Sequence, residues 1–335
     1  MFKRVSKKLL VLGLFASGLF LSTPAQAQLE EIEAFLNSGA DNANALTQAY
    51  LSPLATGLST TFNSGWTTKA APTKKLGFSI QIRTAFAAVP SSAQLFDAST
   101  LGLSNVNVTG TSSNTISGSK GNGQTISSTD PGNVFSFDLP GGTGFNYVPA
   151  AMLQANVGLI KGTDITARYI PETALGDFGN ISLIGFGIKH GLNQWIPGGK
   201  LLPVDISLMA AFSQVDLNAD LEFNTGATDQ VVETSTNTFV FNALVGKTLP
   251  FVSAYAGVGY QTGSFELNML GDYQIGTGVA STTISDPVSY KEDSEAGVHA
   301  LAGLQFKIAI LRIYAEATLA EYATVNAGIG IGFRN

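Results

Sequence analysis

The sequence has no cysteine, only two histidines and few charged residues over its 335 positions. A chain without cysteine forms no disulfide and offers no thiolate to a metal, so packing and backbone hydrogen bonds must stabilise it. Charged residues make up 13% of the chain, whereas soluble domains carry about 25%. The formal net charge is −6, which argues against nucleic acid as a partner because nucleic-acid binding needs basic patches.

Long apolar runs are also missing, apart from one near the start. Residues 1–8 are basic, residues 9–21 are apolar, and Ala25-Gln26-Ala27 matches a small-residue cleavage site. The apolar run is shorter than the roughly 20 residues that a spanning helix needs. This order predicts a secretory signal peptide over residues 1–27, with an uncleaved anchor helix as the alternative.

The rest of the chain is rich in glycine and alternates between apolar and polar side chains. At its end, Ile329, Ile331 and Phe333 share one face of an extended strand, and glycines fill the other. An exported chain that crosses a membrane without spanning helices must close its backbone hydrogen bonds in a barrel. Ten segments from Leu76 onward have the roughly 9–11 residue length of tilted spanning strands. The sequence therefore predicts an all-β, membrane-spanning antiparallel barrel over residues 71–335, with an even number of 10–14 strands.

Short and long connections alternate along this region. Lys161-Gly162 and residues 246–251 are tight, whereas residues 90–150 and 268–292 are longer and more polar. Outer-membrane barrels have short periplasmic turns and long extracellular loops. The stretch 97–133, rich in Ser, Thr, Asn and Gly, is interpreted as a solvated outer loop. One or two extra hairpins within it would raise the strand count above ten.

The alternation changes phase after Phe212, because apolar residues then fall on odd positions such as Val215 and Leu217. We interpret this shift either as a β-bulge or as the strand leaving the membrane. Oxygen-bearing side chains share the other face of this segment: Asp216, Asn218, Asp220 and Glu222. They could hold a hard cation such as calcium, but a solvated acidic edge is the preferred interpretation.

The N-terminal region has helical rather than strand periodicity. Leu29, Ile32 and Leu36 recur at helical spacing, and a second helix is predicted from Asp41 until Pro53 breaks it. Residues 63–75 are interpreted as a linker. Because helices this short are marginal alone in water, we expect residues 28–70 to form a helical plug and linker. The helices would lie inside the barrel or close its periplasmic mouth.

Two stretches carry a family resemblance, GLIKGTDITARYIPE (158–172) and GIKHGLNQWIPG (187–198). They resemble an uncharacterised family of Gram-negative outer-membrane barrels, with similarity from about Ala49 to the end. The general shape of that family is similar to the long-chain fatty-acid transporter group, whose barrels hold an N-terminal plug. The resemblance implies a cell outer-membrane protein that meets the barrel-assembly machinery and outer-membrane lipid.

Candidate ligand-binding residues come from the two faces that would meet in the lumen. Aromatic residues of the N-terminal helices can line an apolar site, and the barrel wall contributes inward polar groups. The full candidate set is Phe35, Tyr50, Phe62, Arg83, Arg168, His299, Arg312 and Glu316. Charged residues of a narrow lumen are more often structural than functional, since buried charges must be paired. A polar constriction that selects solutes is the second interpretation.

Two functional classes fit these observations. The first is passive uptake of a small hydrophobic molecule through a plugged barrel. The alternative is a non-transporting structural or adhesive surface protein. His299 with a nearby serine would be needed for a membrane hydrolase, but a hydrogen-bonded lumen histidine is the simpler interpretation, so we do not expect an enzyme. With two separated histidines and no cysteine, we expect no cofactor and no transition-metal site.

Overall fold

Ten antiparallel strands close into a barrel in the computed structural model, which describes residues 34–131, 134–174, 179–220, 230–275 and 282–334. In chain order the barrel strands are β1 (Phe78–Ala88), β7 (Tyr147–Gly158), β8 (Thr163–Ala174), β9 (Asn180–Gly191), β10 (Asp205–Asp220), β11 (Val231–Thr248), β12 (Val252–Leu270), β15 (Val288–Ile308), β16 (Leu311–Leu319) and β17 (Thr324–Phe333). The predicted fold class is confirmed. The predicted signal peptide, residues 1–27, lies outside the described residues.

The first and last strands close the barrel. Phe78 pairs with Phe333 and Ala87 with Thr324, and β1 pairs with β7 on its other side. Each neighbouring pair along the wall is antiparallel, from β7 round to β17. Along β1, exposed and buried side chains alternate. The apolar face that ends the chain is therefore the outer face of the last wall strand.

Two belts of aromatic side chains circle the outside of the barrel. One belt includes Phe78, Trp195, Phe251, Phe306 and Phe333, and the other includes Phe86, Tyr147, Tyr169, Phe186, Phe212, Phe239 and Tyr260. Aliphatic side chains such as Ile80 and Ile329 are exposed between them. Aromatic girdles that flank an apolar band mark the two interfaces of a bilayer. The protein thus spans the outer membrane.

The lengths of the connections set the orientation. Residues 159–162, 249–251 and 309–310 connect strands at one end, and residues 89–146 and 271–287 connect them at the other. Because short turns of such barrels are periplasmic, we call the first end the inner end and the second the outer end. The inner end also carries the longer connection 192–204.

Strands β10, β11, β12 and β15 continue past the outer belt, where apolar side chains lie on the inner face of the wall and polar side chains on its outer face. Phe265, Leu267 and Met269 point inward, like Tyr255 earlier on the same strand, and are buried, whereas Asp216 and Glu266 point outward. The register of β10 with both neighbours is continuous through this region. The phase change after Phe212 is therefore a strand leaving the membrane, and the alternative of a bulge at this point was wrong.

Helix α1 (Ala40–Asn63) lies inside the barrel. It contacts β1, β7, β11, β12 and β15, and it continues through Pro53, so the predicted break there was wrong. An interior proline costs about 3 kcal/mol. Burial on several sides offsets this cost, since Leu46, Tyr50 and Phe62 are at most 3% exposed. Within the described residues, no helix is long and apolar enough to cross a membrane.

The N-terminal end of α1 lies among the outer loops. Asn42 exchanges hydrogen bonds with the backbone of Ser104, and Asn44 does so with Pro287 and Ser289. The ring centroids of Phe35 and Phe137 are 6.4 Å apart. The helix therefore runs from the outer end toward the middle of the lumen.

The described residues of the stretch 89–146, namely 89–131 and 134–146, form a folded layer over the outer end, here called the cap. It contains β2 (Leu95–Phe96), β3 (Val106–Thr109), β4 (Ser113–Asn114), β5 (Thr125–Ser128) and β6 (Ser136–Asp138), and β13 (Asp272–Ile275) pairs with β14 (Thr282–Ser285) beside it. Ile126 and Leu139 are fully buried, and the Tyr50 hydroxyl donates to the Gly141 carbonyl. The stretch predicted as a solvated loop is instead a small packed structure, whose strands stay outside the barrel wall.

One side chain, Gln124, organises the cap. Its amide oxygen accepts from the Ala98 N–H at 2.8 Å, and its amide nitrogen donates to Asp97 at 2.8 Å. The bond from the Gln124 amide, with those from Ser99, holds the pKa of Asp97 below its usual range. A polar sequence can therefore order itself through side-chain hydrogen bonds where apolar residues are few.

Candidate functional site

After α1, residues 64–73 pass through the inner half of the lumen without regular secondary structure. We call α1 with these residues the plug, and residues 64–73 its inner segment. Backbone groups buried without a helix or sheet need other partners, and lumen side chains supply them. The wall contacts of the inner segment join Ser64 O to Arg168, Gly65 N to Glu316, Trp66 O to Gln154, Thr67 O to Arg83, Lys69 O to Lys189, Ala70 O to Ser207 and Thr73 N to Asp164.

Arg168, on β8, holds the C-terminal end of α1. Its two Nη atoms donate to the carbonyls of Phe62 and Ser64 at 2.7 Å each, and its Nε donates to Gln154 at 2.9 Å. The last carbonyls of a helix lack intrahelical partners and carry partial negative charge. The last turn of α1 contains no basic residue of its own, so the wall arginine provides the cation.

Trp66 lies between Arg168 and a strip of glycine on β9. The guanidinium carbon of Arg168 is 3.8 Å from the centre of the indole ring. A Cβ atom at Gly185 or Gly187 would lie only 3.0 or 3.1 Å from the indole carbons. The two glycines therefore let the ring lie flat against the wall, and the cation–π contact holds it there.

Glu316, on β16, binds the start of the inner segment. Its carboxylate accepts from the Gly65 N–H at 2.8 Å and from the Tyr255 hydroxyl at 2.7 Å. Gly65 has a φ of +71°, which favours glycine, and a Cβ there would meet Asn326. Nearby, Arg83 donates to Thr67 O at 3.0 Å and lies 4.0 Å from the ring centre of Tyr314.

Lys189 and Asp164 fix the inner part of the segment. Their Nζ and Oδ2 atoms are 3.5 Å apart, and both residues are buried. Lys189 also donates to the hydroxyl of Thr67 and the carbonyl of Lys69 at 3.0 Å. Asp164 accepts from the Thr73 N–H at 2.7 Å. Each charge thus has both an ionic partner and backbone hydrogen bonds.

Little free space remains beside this segment. A cavity between Trp66, Lys69, Asp164 and Lys189 has a volume of about 10 Å³, which is room for one water molecule. A second gap between Gly65 and His299 has essentially none. Both of these places in the lumen are closed to a solute in this conformation.

The candidate residues from the sequence fall into three places. Phe62, Arg83, Arg168 and Glu316 meet around residues 62–67 at mid-lumen. Phe35 and Tyr50 are buried in the apolar cluster between α1, the cap and the outer wall. The Nε2 of His299 donates to the amide oxygen of Asn242 on the wall at 2.7 Å, and Arg312 donates to the Gly332 carbonyl near the inner end. The eight residues do not surround one ligand cavity.

Several residues of the site were not among the candidates, namely Trp66, Lys69, Asp164, Lys189 and Tyr255. Asp164 lies four residues before Arg168 on β8, an even separation, so the same alternation would have placed it on the lumen face. Trp66 and Lys69 gave no such signal, because the segment that contains them has no period and was interpreted as a linker.

An outward-facing concavity lies on the extended wall above the membrane. Its volume is about 460 Å³, and its lining includes Glu172, Asp216, Glu233 and Glu266. The part of the chain that the structure describes contains no group of three or more metal-binding side chains placed to hold an ion. Glu222 lies outside the described residues, as does the side chain of Asp220.

Comparison with known proteins gives one family and several distant structures. The model of a family described as "Family of unknown function (DUF6588)" matches residues 5–333. No curated protein matches. The barrel is similar to Ail, the attachment invasion locus protein of Yersinia pestis (12% identity, 77% of this chain, 99% of that chain, TM-score 0.29).

Two further structures are similar at the same level. The outer membrane protease OmpT from Escherichia coli shares 8% identity over 78% of this chain and 98% of its own, with a TM-score of 0.32. The translocator domain of the autotransporter NalP from Neisseria meningitidis shares 9% over 86% and 96%, with a TM-score of 0.32. The similarity to the long-chain fatty-acid transporter group stays a prediction.

Proposed function

The chain belongs to this family of unknown function, and we propose that it is a non-conducting outer-membrane barrel that presents a folded structure for adhesion or structural contact outside the cell. The observation that carries the proposal is the plug, which occupies the lumen from the outer loops to the inner turns. A barrel built to conduct would need a water-filled path. Here wall side chains bind the plug backbone at seven positions along the inner segment.

The plug is costly to displace. Arg83, Arg168 and Glu316 are each at most 3% exposed, and removing one partner of a buried charged contact costs about 3–5 kcal/mol. Withdrawal of the inner segment would break several such contacts together. The closed state therefore suits a permanent support for the outer structure.

The outer structure is ordered by the same plug. The cap packs on α1 through the contacts of Phe35 with Phe137 and of Tyr50 with Gly141. The extended wall closes the other side through Phe265 and Tyr290. One buried core thus joins the cap, the helix and the wall above the membrane, and this supports the proposed role in surface contact.

Two measurements test this proposal together. Purified protein in planar lipid bilayers should give no conductance steps. Cells that produce the protein should attach to a surface or to one another more than cells that produce a variant with residues 91–143 replaced by a short Gly-Ser linker. Heat-modifiable mobility on gels would verify that the variant barrel has assembled. Stable open channels in the wild type, or equal attachment of both cell types, would refute the proposal.

Uptake of a small hydrophobic molecule is the second candidate, favoured by the apolar cluster between α1 and the outer wall. Leu46, Tyr50, Phe265 and Met269 form part of it. A hydrophobic solute would replace α1 against these residues, so uptake would require the helix to move.

A disulfide that ties α1 to the barrel wall distinguishes the two candidate functions. The chain has no cysteine of its own, so an introduced pair can bond only with each other. A Cβ atom at Gly57 would lie 2.7 Å from the Cβ of Val148, so the pair Gly57→Cys and Val148→Cys can form a disulfide after a shift of about 1 Å. Oxidation should abolish uptake of a fluorescent fatty acid if the helix must move. No effect of the protein on such uptake, oxidised or reduced, would exclude transport.

A further inference from the structure

We propose that the inner end of the lumen binds an oxyanion, a phosphate group, that enters from the periplasm. The first observation is charge. The buried charged side chains that the structure describes include Lys69, Arg83, Arg168, Lys189, Lys307 and Arg312, but only Asp164 and Glu316 as carboxylates. The described lumen therefore has four more cationic side chains than carboxylates, inside a chain whose formal net charge is −6. Buried charge without a counter-charge is strongly unfavourable.

The excess is concentrated at the inner end. Lys307 and Arg312 are direct cross-strand partners on β15 and β16, and both face the lumen. Like charges in that position repel each other. Lys69 lies close enough to both for its charge to interact with theirs. Among the described residues, the single carboxylate–ammonium pair joins Lys189 and Asp164, so neither Lys307 nor Arg312 has a carboxylate partner.

The second observation is a set of buried polar atoms without hydrogen-bond partners at the same place. Gln305 is fully buried two residues before Lys307, and both of its amide atoms are unpartnered. Ser253 pairs directly with Gln305 across the β12–β15 ladder, and its hydroxyl is also buried and unpartnered. The Nε of Arg312 is a third unpartnered donor.

Each such atom costs about 1–3 kcal/mol when it stays unsatisfied. An oxyanion accepts several hydrogen bonds at once, so it can satisfy the amide nitrogen of Gln305, the hydroxyl of Ser253 and the Nε of Arg312 while it neutralises Lys307. A halide accepts bonds but offers one centre, whereas phosphate spreads its oxygens over donors on three strands. The wall residues that surround this place therefore match a phosphate group.

Entry is from the periplasmic side and requires side chains at the inner mouth to move, because Gln305 and Ser253 are fully buried. Lys74 is exposed at the inner mouth, Lys307 and Arg312 are at most 9% exposed, and Lys69 is 4% exposed. This series of cations leads from solvent toward the inner segment of the plug. Free inorganic phosphate and the phosphate of a lipid headgroup share the chemistry that the site recognises.

Equilibrium dialysis of the full, detergent-solubilised protein against radiolabelled inorganic phosphate tests the site. We expect saturable binding of about one phosphate per barrel at constant ionic strength. Lys307→Gln and Gln305→Leu should each weaken it at least tenfold, and the second variant keeps every charge. Lys247→Gln, at an exposed position on β11, is the matched control and should bind as the wild type does.

Competition identifies the source of the anion. Displacement of phosphate by glycerol phosphate would indicate a lipid headgroup, and its failure would indicate free phosphate; both results support the site. Equal displacement by chloride would show that the cations only attract counter-ions, which would overturn the proposal. Binding that is absent, or equal in all variants with heat-modifiable mobility, would overturn it as well.

Discussion

Replacement of Arg168 by glutamine should release the plug from the wall. The side chain donates two hydrogen bonds of 2.7 Å to the carbonyls of Phe62 and Ser64 and covers the ring of Trp66. A glutamine at this position is too short to reach both carbonyls, and it leaves Glu316 with less compensating charge. The buried carbonyls at the end of α1 would then have no cation.

The size of the effect follows from these contacts. Hydrogen bonds to charged groups contribute about 1.5–3 kcal/mol each, and loss of one partner from a buried charged network costs about 3–5 kcal/mol. Since about 1.4 kcal/mol changes an equilibrium tenfold, the ratio of undocked to docked plug should rise by roughly 10² to 4 × 10³. The barrel wall should stay intact, because β8 keeps its backbone pairing with both neighbours.

A single cysteine reports the undocked state. Ala70 is 1% exposed in the inner segment, and only its carbonyl makes a hydrogen bond to the wall. Ala70→Cys in this cysteine-free chain should react slowly with a maleimide, and its rate should rise about 10²-fold or more when Arg168→Gln is added. Arg334→Gln, an exposed arginine at the end of the chain, is the control. Labelling rates within threefold of that control would show that Arg168 does not hold the plug.

Three further results are expected. Ile313→Arg should reduce barrel assembly in membranes far more than Thr318→Arg, since Ile313 faces lipid and Thr318 faces the lumen and a lipid-facing arginine costs about 2–4 kcal/mol at mid-bilayer; equal yields would contradict the facing. Gly187→Leu should overlap the ring of Trp66, cost about 1–3 kcal/mol and accelerate labelling of the plug cysteine, with Gly187→Ala smaller in effect. An epitope inserted after Gly39 should bind antibody on intact cells, and signal only after permeabilisation would contradict the outward direction of α1.

Local periodicity was sufficient to predict the barrel, because the facing of each strand residue depends only on its position in an alternating segment. Phe78, Ile80 and Phe86 alternate with Gln81 and Arg83 in the sequence and face lipid and lumen in the structure. The same rule explains the phase change on β10. On β10 the alternation of inward and outward side chains continues unchanged. Beyond the membrane boundary the outer face meets water instead of lipid, so the apolar residues occur on the inner face.

The path of the plug could not be predicted from the sequence. Residues 64–73 have no period, and their burial depends on wall residues from β1, β7, β8, β9, β10 and β16 that are distant in the chain. Arg168 could be placed on the lumen face, but not against the carbonyls of Phe62 and Ser64. The helix through Pro53 follows the same principle, since tertiary packing outweighed a local rule.

The closure of the barrel around the plug also constrains the order of folding. Phe78 and Phe333, which pair across the closing seam, are 255 residues apart in the chain. Pairings of such long sequence separation form slowly, because the loop entropy is lost before the contacts are gained. The inner segment runs directly into β1, so it must already lie within the curved sheet when β17 arrives. The pairing of β1 with β17 is thus the last backbone ladder to form. A plug that is still outside the sheet when this pairing forms can enter the lumen only through one of the two ends of the barrel.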